Sequence, residues 1–440
     1  MKIMSYASVL VGASVLAGCQ LTSQNDKSLV KPPSSELSTP VGYQWQVIDN
    51  MSDEFEGSEL DKQKWRDHIT TWKGRPPAEF LPKNVAVADG NLLVKTSTHP
   101  NPSEKYTMAG GAVSGKHQAT YGYFEARIKA SNTRMSTTFW LHSDKHENQQ
   151  LGCERKHAIE IDILEAIGGW YSSFWSSQMH SNTHYKSYQL DETGKCVRSP
   201  YLSKGAKHQH DAKLADDYHL FAAWWVNPNL VHFYFDGQLM GTVNVAHDKD
   251  QIPFNGPMSL RMVAETYDWQ KNIVPAGKPH YPTAQELDDP SINTAYYDFV
   301  RSYQLTPKAT NLMSNADFEQ ADLQNWQLHK AEIAQGLGMS YTHDAGLHIR
   351  AGGQAEYQLR GIKDGNYQLS FYARTAKANA AAKVEVIDAN GNVMAQQSLT
   401  ANQFTPYQLS LTNLQAGGKI RFVASSGSAV AIDTLAFEKN

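Results

Sequence analysis

Short runs in which apolar and polar residues alternate dominate the chain between Tyr43 and Leu305. Clear examples span residues 85–94, 122–130 and 231–239, and Asp-Gly pairs break or end such runs. Alternation with a period of two puts one set of side chains on each face of a β-strand, and Asp-Gly is typical of hairpin turns. Many such runs over about 260 residues predict a large antiparallel jelly roll or β-sandwich.

A second group of alternating runs follows the segment Thr306–Thr310. It includes residues 367–374 and is closed by residues 431–437. About 130 residues of this kind are enough for one smaller β-sandwich. The pattern therefore predicts an all-β protein with a large jelly roll at residues 45–305 and a smaller β-sandwich domain at residues 306–440.

The N-terminus has a basic residue, Lys2, then an apolar stretch and small residues before Cys19. This order indicates a secretory signal that is too short to span a membrane. The ending Leu-Ala-Gly-Cys resembles the bacterial lipobox, which implies that Cys19 becomes the lipidated first residue. Residues 1–19 are therefore expected to be a lipoprotein signal peptide, and the Ser- and Pro-rich residues 20–44 a flexible tether. An ordinary signal with an incidental cysteine is the alternative.

Gln20 stands where an aspartate would retain a lipoprotein at the inner membrane, so we expect an exported protein anchored at a bacterial outer membrane. The two other cysteines, Cys153 and Cys196, are then expected to form a disulfide, because exported proteins meet an oxidising environment. Two separate buried thiols are the alternative.

Charge and composition exclude several classes of function. The chain has 40 Lys and Arg against 44 Asp and Glu, a net charge of −4, so it lacks the basic footprint of a nucleic-acid binder. With 19% charged and 10% aromatic residues it is neither a disordered acidic chain nor a coiled coil. Beyond residue 19 no apolar stretch is long enough to span a bilayer. We expect a monomer that contacts a membrane only through the anchor at Cys19.

Three carboxylates, Glu160, Asp162 and Glu165, lie within six residues and alternate with Ile and Leu. Buried acids need partners or a task, and a calcium-binding or solvated edge strand is the alternative. Glu160 and Asp162 share one face of a strand, whereas Glu165 joins them only if one extra residue forms a β-bulge. The sequence therefore predicts a bulge between Asp162 and Glu165.

With that bulge, Glu160 and Glu165 lie effectively four strand positions apart, about 13 Å between Cα atoms. Side chains that lean toward each other then leave roughly 5–6 Å between the carboxyl groups, the separation typical of retaining glycosidases. Glu160 is the expected nucleophile, Glu165 the acid/base and Asp162 the assisting carboxylate. Three acids this close cannot all ionise independently, so one should keep its proton near neutral pH.

The segment Glu-Ile-Asp-Ile-Leu-Glu at residues 160–165 is similar to the E-x-D-x-x-E signature of glycoside hydrolase family 16. Other segments resemble the β-agarase branch of that family; they lie at residues 71–78, 121–127, 135–141, 179–184, 261–269 and 297–301. The resemblance implies a jelly roll with a long cleft and the same roles for Glu160, Asp162 and Glu165.

The substrate-binding residues that the sequence suggests carry flat rings or polar tips that suit a sugar. They are Trp72, Arg75, Trp140, His184, Glu265 and Trp269. A place in the sandwich core is the alternative for each tryptophan. His180 and His184 could suggest a metal pair, but the sequence offers no third ligand with zinc-like spacing, so a substrate-binding or structural role is expected.

No cofactor is expected for catalysis. The family resemblance implies a structural Ca²⁺ held by the backbone carbonyl of Gly90 and by Asp298, since oxygen ligands suit this ion. The opening of the second domain, residues 311–319 followed by Trp326, resembles carbohydrate-binding modules of families 4 and 9. It implies a glycan-binding domain, with a purely structural spacer as the alternative.

The leading hypothesis for function is a retaining endo-hydrolase of β-1,4 bonds in agarose, a red-algal galactan. A sulfated galactan of the porphyran, furcellaran or β-carrageenan type stays open, because basic residues are available: Arg75, Arg134, Arg155, Arg198 and Lys186. Residues 153–157 and 189–210 depart from the agarase pattern and leave the galactan undecided. A glycan-capture lipoprotein without catalysis, a laminarin-type glucanase and a calcium-dependent adhesion domain are the other hypotheses.

Overall fold

The computed structural model describes residues 33–35, 37–143, 157–198, 202–245 and 254–440. These residues belong to one compact unit. β-Strands dominate it, as the alternating pattern predicts.

The strands are numbered in chain order. Those of the first domain are β1 (Tyr43–Val47), β2 (Trp65–Arg66), β3 (Ala78–Phe80), β4 (Val85–Ala88), β5 (Asn91–Thr98), β6 (Met108–Gly110), β7 (Ala112–Gly115), β8 (Gly122–Lys129), β9 (Thr137–His142), β10 (His157–Ala166), β11 (Gln178–Leu190), β12 (Cys196–Arg198), β13 (Leu202–Gln209), β14 (His219–Asn227), β15 (Leu230–Phe235), β16 (Gln238–Asn244), β17 (Ser259–Val263) and β18 (Thr294–Pro307). Those of the second domain are β19 (Trp326–Gln335), β20 (Ala345–Gln358), β21 (Gly365–Thr375), β22 (Ala382–Ile387), β23 (Val393–Leu399), β24 (Thr405–Leu414), β25 (Lys419–Ala424) and β26 (Val430–Lys439).

Helices are few and short in the described part of the chain. They are α1 (Ser173–Ser176), α2 (Gln270–Ile273), α3 (Ala284–Asp288) and two 3-10 turns at Asp49–Met51 and Pro82–Asn84. Among these described helices, none is both long and apolar enough to cross a membrane.

Two sheets build the first domain. One has the order β16-β15-β14-β8-β18-β5-β6-β3, with β1 beside β18 and β4 beside β5. The other has the order β12-β11-β10-β9-β17-β7-β2, with β13 beside β11. One large core holds buried residues of both sheets, for example Phe124 and Val300 from the first and Phe139 and Ile161 from the second. This two-sheet arrangement confirms the predicted jelly roll.

The second domain has a separate hydrophobic core that includes Leu347, Phe371, Phe422 and Phe437. Its strands form one connected sheet with the order β23-β22-β25-β20-β26-β21-β24, and β19 pairs with β20. The two edge strands β23 and β24 lie against each other, so the sheet folds back around this core. A further β domain after the jelly roll is therefore present, as predicted.

The two domains are joined without a free linker. Strand β18 continues past the predicted boundary at residue 305 to Pro307, where it pairs with Tyr43 of β1. Directly after it, Lys308 N donates to the carbonyl of Gly42 at 2.8 Å. Strand β18 therefore extends two residues past the predicted boundary and leads into the second domain.

The predicted tether at residues 20–44 is too long, because its described end is packed on the jelly roll. Ser34 donates hydrogen bonds from its backbone N and from Oγ to the carboxylate of Glu125, at 3.1 and 3.2 Å. Ser35 bonds to the phenol of Tyr123. Glu125 is fully buried, and partners for a buried carboxylate are a strong reason for this segment to dock.

A glycine at the end of β6 is expected to be essential for packing. A Cβ at Gly110 would lie 1.9 Å from the carbonyl oxygen of Ala264, whereas a Cβ at Gly57 would meet its nearest neighbour at 3.5 Å. We expect Gly110→Ala to lower the free energy of unfolding by about 1–3 kcal/mol, because backbone must move. Gly57→Ala is the control. Equal urea midpoints for the two variants would contradict the expected clash at Gly110.

Candidate active site

The predicted bulge lies in the middle of β10. Between Asp162 and Leu164 the register against β9 shifts by one residue, which makes Ile163 the extra residue, and the register against β11 shifts over the same stretch. Ile163 and Leu164 are consecutive and both fully buried, so the alternation of faces breaks here. The bulge is confirmed, and it brings Glu165 to the cleft face that carries Glu160.

A cleft of about 640 Å³ lies over this face of the second sheet. It is lined by all three acids and by all six residues that the sequence suggests for substrate binding. The lining residues that sequence reasoning missed are Thr71, Thr138, His142, Trp175, Asn182, Arg261 and Tyr267. His142 could have been found from the period of two, since it lies two positions after Trp140 on the same strand. Trp175 belongs to none of the family-like segments.

Two imidazoles lie next to Glu160, whose side chain is 13% exposed. His142 Nε2 is 3.7 Å from Glu160 Oε2, and His184 Nε2 is 3.9 Å from Glu160 Oε1. His184 Nε2 is also 3.0 Å from Asp162 Oδ2. His184 therefore connects the two carboxylates, and its predicted place in the cleft is correct.

Glu165 lies in a drier and more negative environment. Burial raises the pKa of its carboxyl to about 8, and the charge of Asp162 adds to this effect. Tyr267 donates a hydrogen bond to Glu165 Oε1 at 3.1 Å, which acts in the opposite direction. Glu165 is therefore protonated at neutral pH, as expected for one member of the three acids.

Glu265 forms a second buried acid at the edge of the cleft. Burial raises its pKa to about 7, although Arg75 Nε donates to Glu265 Oε2 at 2.9 Å and favours the charged form. Arg75 also lies over the rings of Trp72 and Tyr267, at 6.0 and 5.5 Å from the ring centroids. Arg75 and Glu265 thus form a paired polar group beside the catalytic face.

The predicted tryptophans lie in the wall of the cleft at different depths. Trp72 and Trp140 meet edge to face with ring centroids 6.5 Å apart. Trp140 is only 8% exposed and belongs to a buried cluster with Phe80 and Val263, so most of its surface is packed. Arg261 lies 5.0 Å over the Trp140 ring. Core packing and a place in the cleft are therefore compatible for Trp140, and Trp72 and Trp269 are partly buried lining residues.

One group in the described residues has ligand atoms close enough to hold a metal ion. It consists of Glu160, Asp162 and His184, whose ligand atoms lie within 4.8 Å of one another. The histidine pair considered from the sequence is not such a site, because His180 stacks on Trp175 and bonds through Nε2 to a backbone carbonyl.

The calcium expectation concerns the opposite sheet. Leu92 of β5 pairs with Tyr297 of β18, so Gly90 and Asp298 lie at the same end of neighbouring strands. Asp298 Oδ2 accepts from Arg127 Nη1 at 2.7 Å, which leaves one carboxylate oxygen for a cation. A bound Ca²⁺ would need further oxygens from backbone or water, since it takes six to eight ligands. The calcium site stays a prediction.

Some predicted residues lie outside the described part of the chain. They are Cys19, Cys153 and Arg155, together with the side chains of Arg198 and Lys186. Cys196 is disulfide-bonded, which agrees with the expectation of a disulfide at this residue. Arg134 is not available for a substrate, because its guanidinium is paired with Glu286 and its side chain is only 7% exposed.

The comparison with protein families agrees with the jelly-roll fold and its cleft. Residues 45–305 fit the model of the GH16 domain of β-porphyranases A–D. The chain belongs to glycoside hydrolase family 16. The match runs from β1 to β18, so the glycoside hydrolase activity belongs to the jelly roll that carries the cleft.

Named relatives of this family 16 hydrolase match about three fifths or more of the chain. β-Porphyranase B of Phocaeicola plebeius is 37% identical over 310 residues, which is 65% of this chain and 94% of that protein. β-Porphyranase E of Zobellia galactanivorans is 38% identical over 274 residues, 61% and 91% respectively. The crystal structure of porphyranase B from Zobellia galactanivorans superposes with a TM-score of 0.52 at 32% identity, over 62% of this chain and 99% of that one.

The raised pKa of Glu165 predicts how replacing this residue changes the stability of the folded protein. Folded protein keeps this proton up to about pH 8, whereas the unfolded chain releases it near the ordinary value of 4.5. Folding must therefore take up a proton between these values, so this group lowers stability as pH rises through the window. Glu165→Gln stays neutral and removes the effect.

We expect the thermal unfolding temperature of Glu165→Gln to exceed that of the wild type by a margin that grows from about pH 5 to pH 8 and then levels off. Glu59→Gln, at an exposed residue, is the control and should show no such trend. A margin that is constant or shrinks with pH would show that the carboxyl of Glu165 is not protonated in the folded state.

Proposed function

We propose that this hydrolase is a retaining endo-enzyme that cleaves a red-algal galactan. The observation that carries the proposal is the bulge in β10, which gives Glu160 and Glu165 a common face in one cleft. The two groups differ in environment, with Glu165 protonated near neutral pH. Double displacement requires one protonated carboxyl group as the acid and a second carboxyl group close by as the nucleophile.

In the proposed mechanism, Glu160 attacks the anomeric carbon and forms a glycosyl ester. Glu165 gives its proton to the leaving oxygen, and the resulting carboxylate then takes a proton from the water that hydrolyses the ester. Asp162 assists through His184, which lies within 3.9 Å of the nucleophile. Each step uses only side chains that line the cleft.

Porphyran is the galactan that we propose as the preferred substrate. Five relatives named β-porphyranase are 30–38% identical, whereas an extracellular agarase of Streptomyces coelicolor is 28% identical. The cleft also contains Arg75, whose side chain is 37% exposed and suits the sulfate groups of a charged galactan. Agarose, the leading hypothesis from the sequence, is the second candidate, because an extracellular agarase is also among the relatives.

Product analysis tests both the reaction and the substrate. Wild type is incubated with porphyran, agarose and furcellaran, and the released oligosaccharides are separated by chromatography. We expect porphyran to be cut roughly tenfold faster or more. A mixture of short and long products in the first minutes supports endo action, whereas release of a single small product from the start would contradict it.

Glu160→Gln is expected to lower kcat by roughly 1,000-fold or more, because it removes the nucleophile and leaves binding in place. Glu104→Gln, at an exposed residue, is the control. NMR of freshly released reducing ends should show the β anomer first. An initial α anomer, or wild-type hydrolysis by Glu160→Gln, would overturn the mechanism.

We further propose that the second domain binds the same glycan. Its separate core supports independent folding. Trp326 is not part of a binding surface, since it is 8% exposed and packs against Phe318 and Tyr357. Other residues would have to bind the polysaccharide. Export and attachment through Cys19 stay predictions from the sequence.

A pull-down tests the glycan-binding proposal. Residues 308–440, which begin after β18, are mixed with insoluble agar and with porphyran-containing agar. We expect retention that soluble oligosaccharide competes away. Recovery of the folded fragment in the unbound fraction on both matrices would leave the structural role as the explanation.

A further inference from the structure

Four aromatic rings form a continuous column at one side of the cleft. Tyr267 stacks on Trp269 with ring centroids 4.8 Å apart and planes inclined by 15°. Trp269 stacks on Trp175 at 4.6 Å and 25°, and Trp175 stacks on His180 at 4.1 Å and 14°. The column connects the segment after β17, helix α1 and strand β11. Three near-parallel contacts in series hold each ring against sideways rotation.

One end of this column contacts the side chain of Glu165, and the other end lies on the neighbouring strand opposite it. At one end, Tyr267 donates a hydrogen bond to Glu165 Oε1 at 3.1 Å. At the other end, His180 is the cross-strand partner of Glu165 in β11. The His180 ring is fixed because its Nε2 lies 2.5 Å from the carbonyl oxygen of Phe174, so this nitrogen carries the hydrogen. The column therefore runs from the side chain of Glu165 to the residue that pairs with Glu165 in β11.

We propose that this aromatic column positions the general acid by holding Tyr267 on Oε1 of Glu165, so that the acid proton is carried on Oε2. A proton on Oε1 would face the phenolic hydrogen of Tyr267, which donates to that oxygen. Tyr267, Trp269 and Trp175 are then positioning residues that act through Glu165. The inference rests on the proposed acid/base role of Glu165.

Several titratable groups surround this carboxyl, and their effects have known signs. Those that face it from β10, β11 and the segment after β17 are Glu160, Asp162, His184, Glu265 and Tyr267. Burial and Asp162 raise the pKa of Glu165, whereas His184 and the phenol of Tyr267 lower it. Burial lowers the pKa of His180 to about 4, so the ring stays neutral where the enzyme works. Loss of the phenol should therefore raise the pKa of Glu165.

The direct test is Tyr267→Phe, which keeps the ring in the column and removes only the hydroxyl. We expect kcat on the galactan to fall about 10- to 100-fold, because Glu165 becomes charged as it gives up its proton and then loses a hydrogen bond to a charged group. KM should change little, and the alkaline limb of kcat/KM should move to higher pH. Tyr171→Phe is the matched control, because it loses a hydroxyl that donates to the Pro279 carbonyl, away from Glu165.

Two variants of Trp175 test the rest of the column. Trp175→Leu should move the alkaline limb in the same direction as Tyr267→Phe, and the double variant should be no worse than Tyr267→Phe alone. Trp175→Phe keeps a ring and should restore most of the wild-type profile. If Trp175 has only a structural role, its variants should have a lower melting temperature and an unchanged alkaline limb of kcat/KM. That result would overturn the proposal.

The carboxyl of Glu165 can also be titrated without turnover. Infrared spectra of Glu160→Gln, with and without Tyr267→Phe, report its protonation directly, with Glu165→Gln as the blank. A higher titration midpoint in the absence of the phenol supports the proposal, and an unchanged midpoint contradicts it. Failure of the proposed function would instead appear as hydrolysis that survives in Glu160→Gln, so the two outcomes are distinguishable.

Discussion

One extra residue in β10 is the constraint on which the active site depends. A regular strand would have sent Glu165 into the core, among side chains such as Ile159 and Ile161, where a carboxyl has no partner. Ile163 takes up the extra position, and the strand then presents Glu165 to the cleft. Because the neighbouring strands β9 and β11 stay paired on both sides of the bulge, the two glutamates sit on a rigid frame rather than on loops.

Burial then divides the labour among the acids. All belong to one cleft, yet their partners differ: Glu160 lies between two imidazoles, whereas Glu165 has a phenol and a negative neighbour. The imidazoles can stabilise a charged Glu160, as its proposed role of nucleophile requires, and the dry environment keeps the proton on Glu165, the proposed acid. Arg75 pairs with Glu265 and offsets its negative charge. This pairing limits how far the charge of Glu265 raises the pKa of Glu165.

The sequence was sufficient for the parts of the site that depend on local periodicity. The bulge followed from the spacing of Glu160, Asp162 and Glu165, and the jelly roll followed from alternation over many segments. Tyr267 and Trp175 were missed because their meeting depends on the paths of two connecting segments, which no local pattern encodes. The predicted tether extends too far for a related reason. Polar composition indicates exposure, but the partner of Ser34 is a buried glutamate 91 residues away.

The join between the domains decides what a second glycan site could contribute. With a flexible linker, the catalytic domain could reach polysaccharide within a radius set by the linker length while the second domain stays bound. Strand β18 instead leads directly into the second domain. Further contacts fix the pair, since His343 N donates to the Val226 carbonyl and Asn227 Nδ2 to the Tyr341 carbonyl, both at 2.8 Å. A polysaccharide held by the second domain would therefore reach the cleft only along a path that these contacts between the domains allow. Binding by the second domain then raises the effective concentration of polysaccharide at the cleft only if the glycan site faces the same side of the protein as the cleft. A glycan site on the opposite side of the second domain would hold the enzyme on its substrate without placing a bound chain in the cleft.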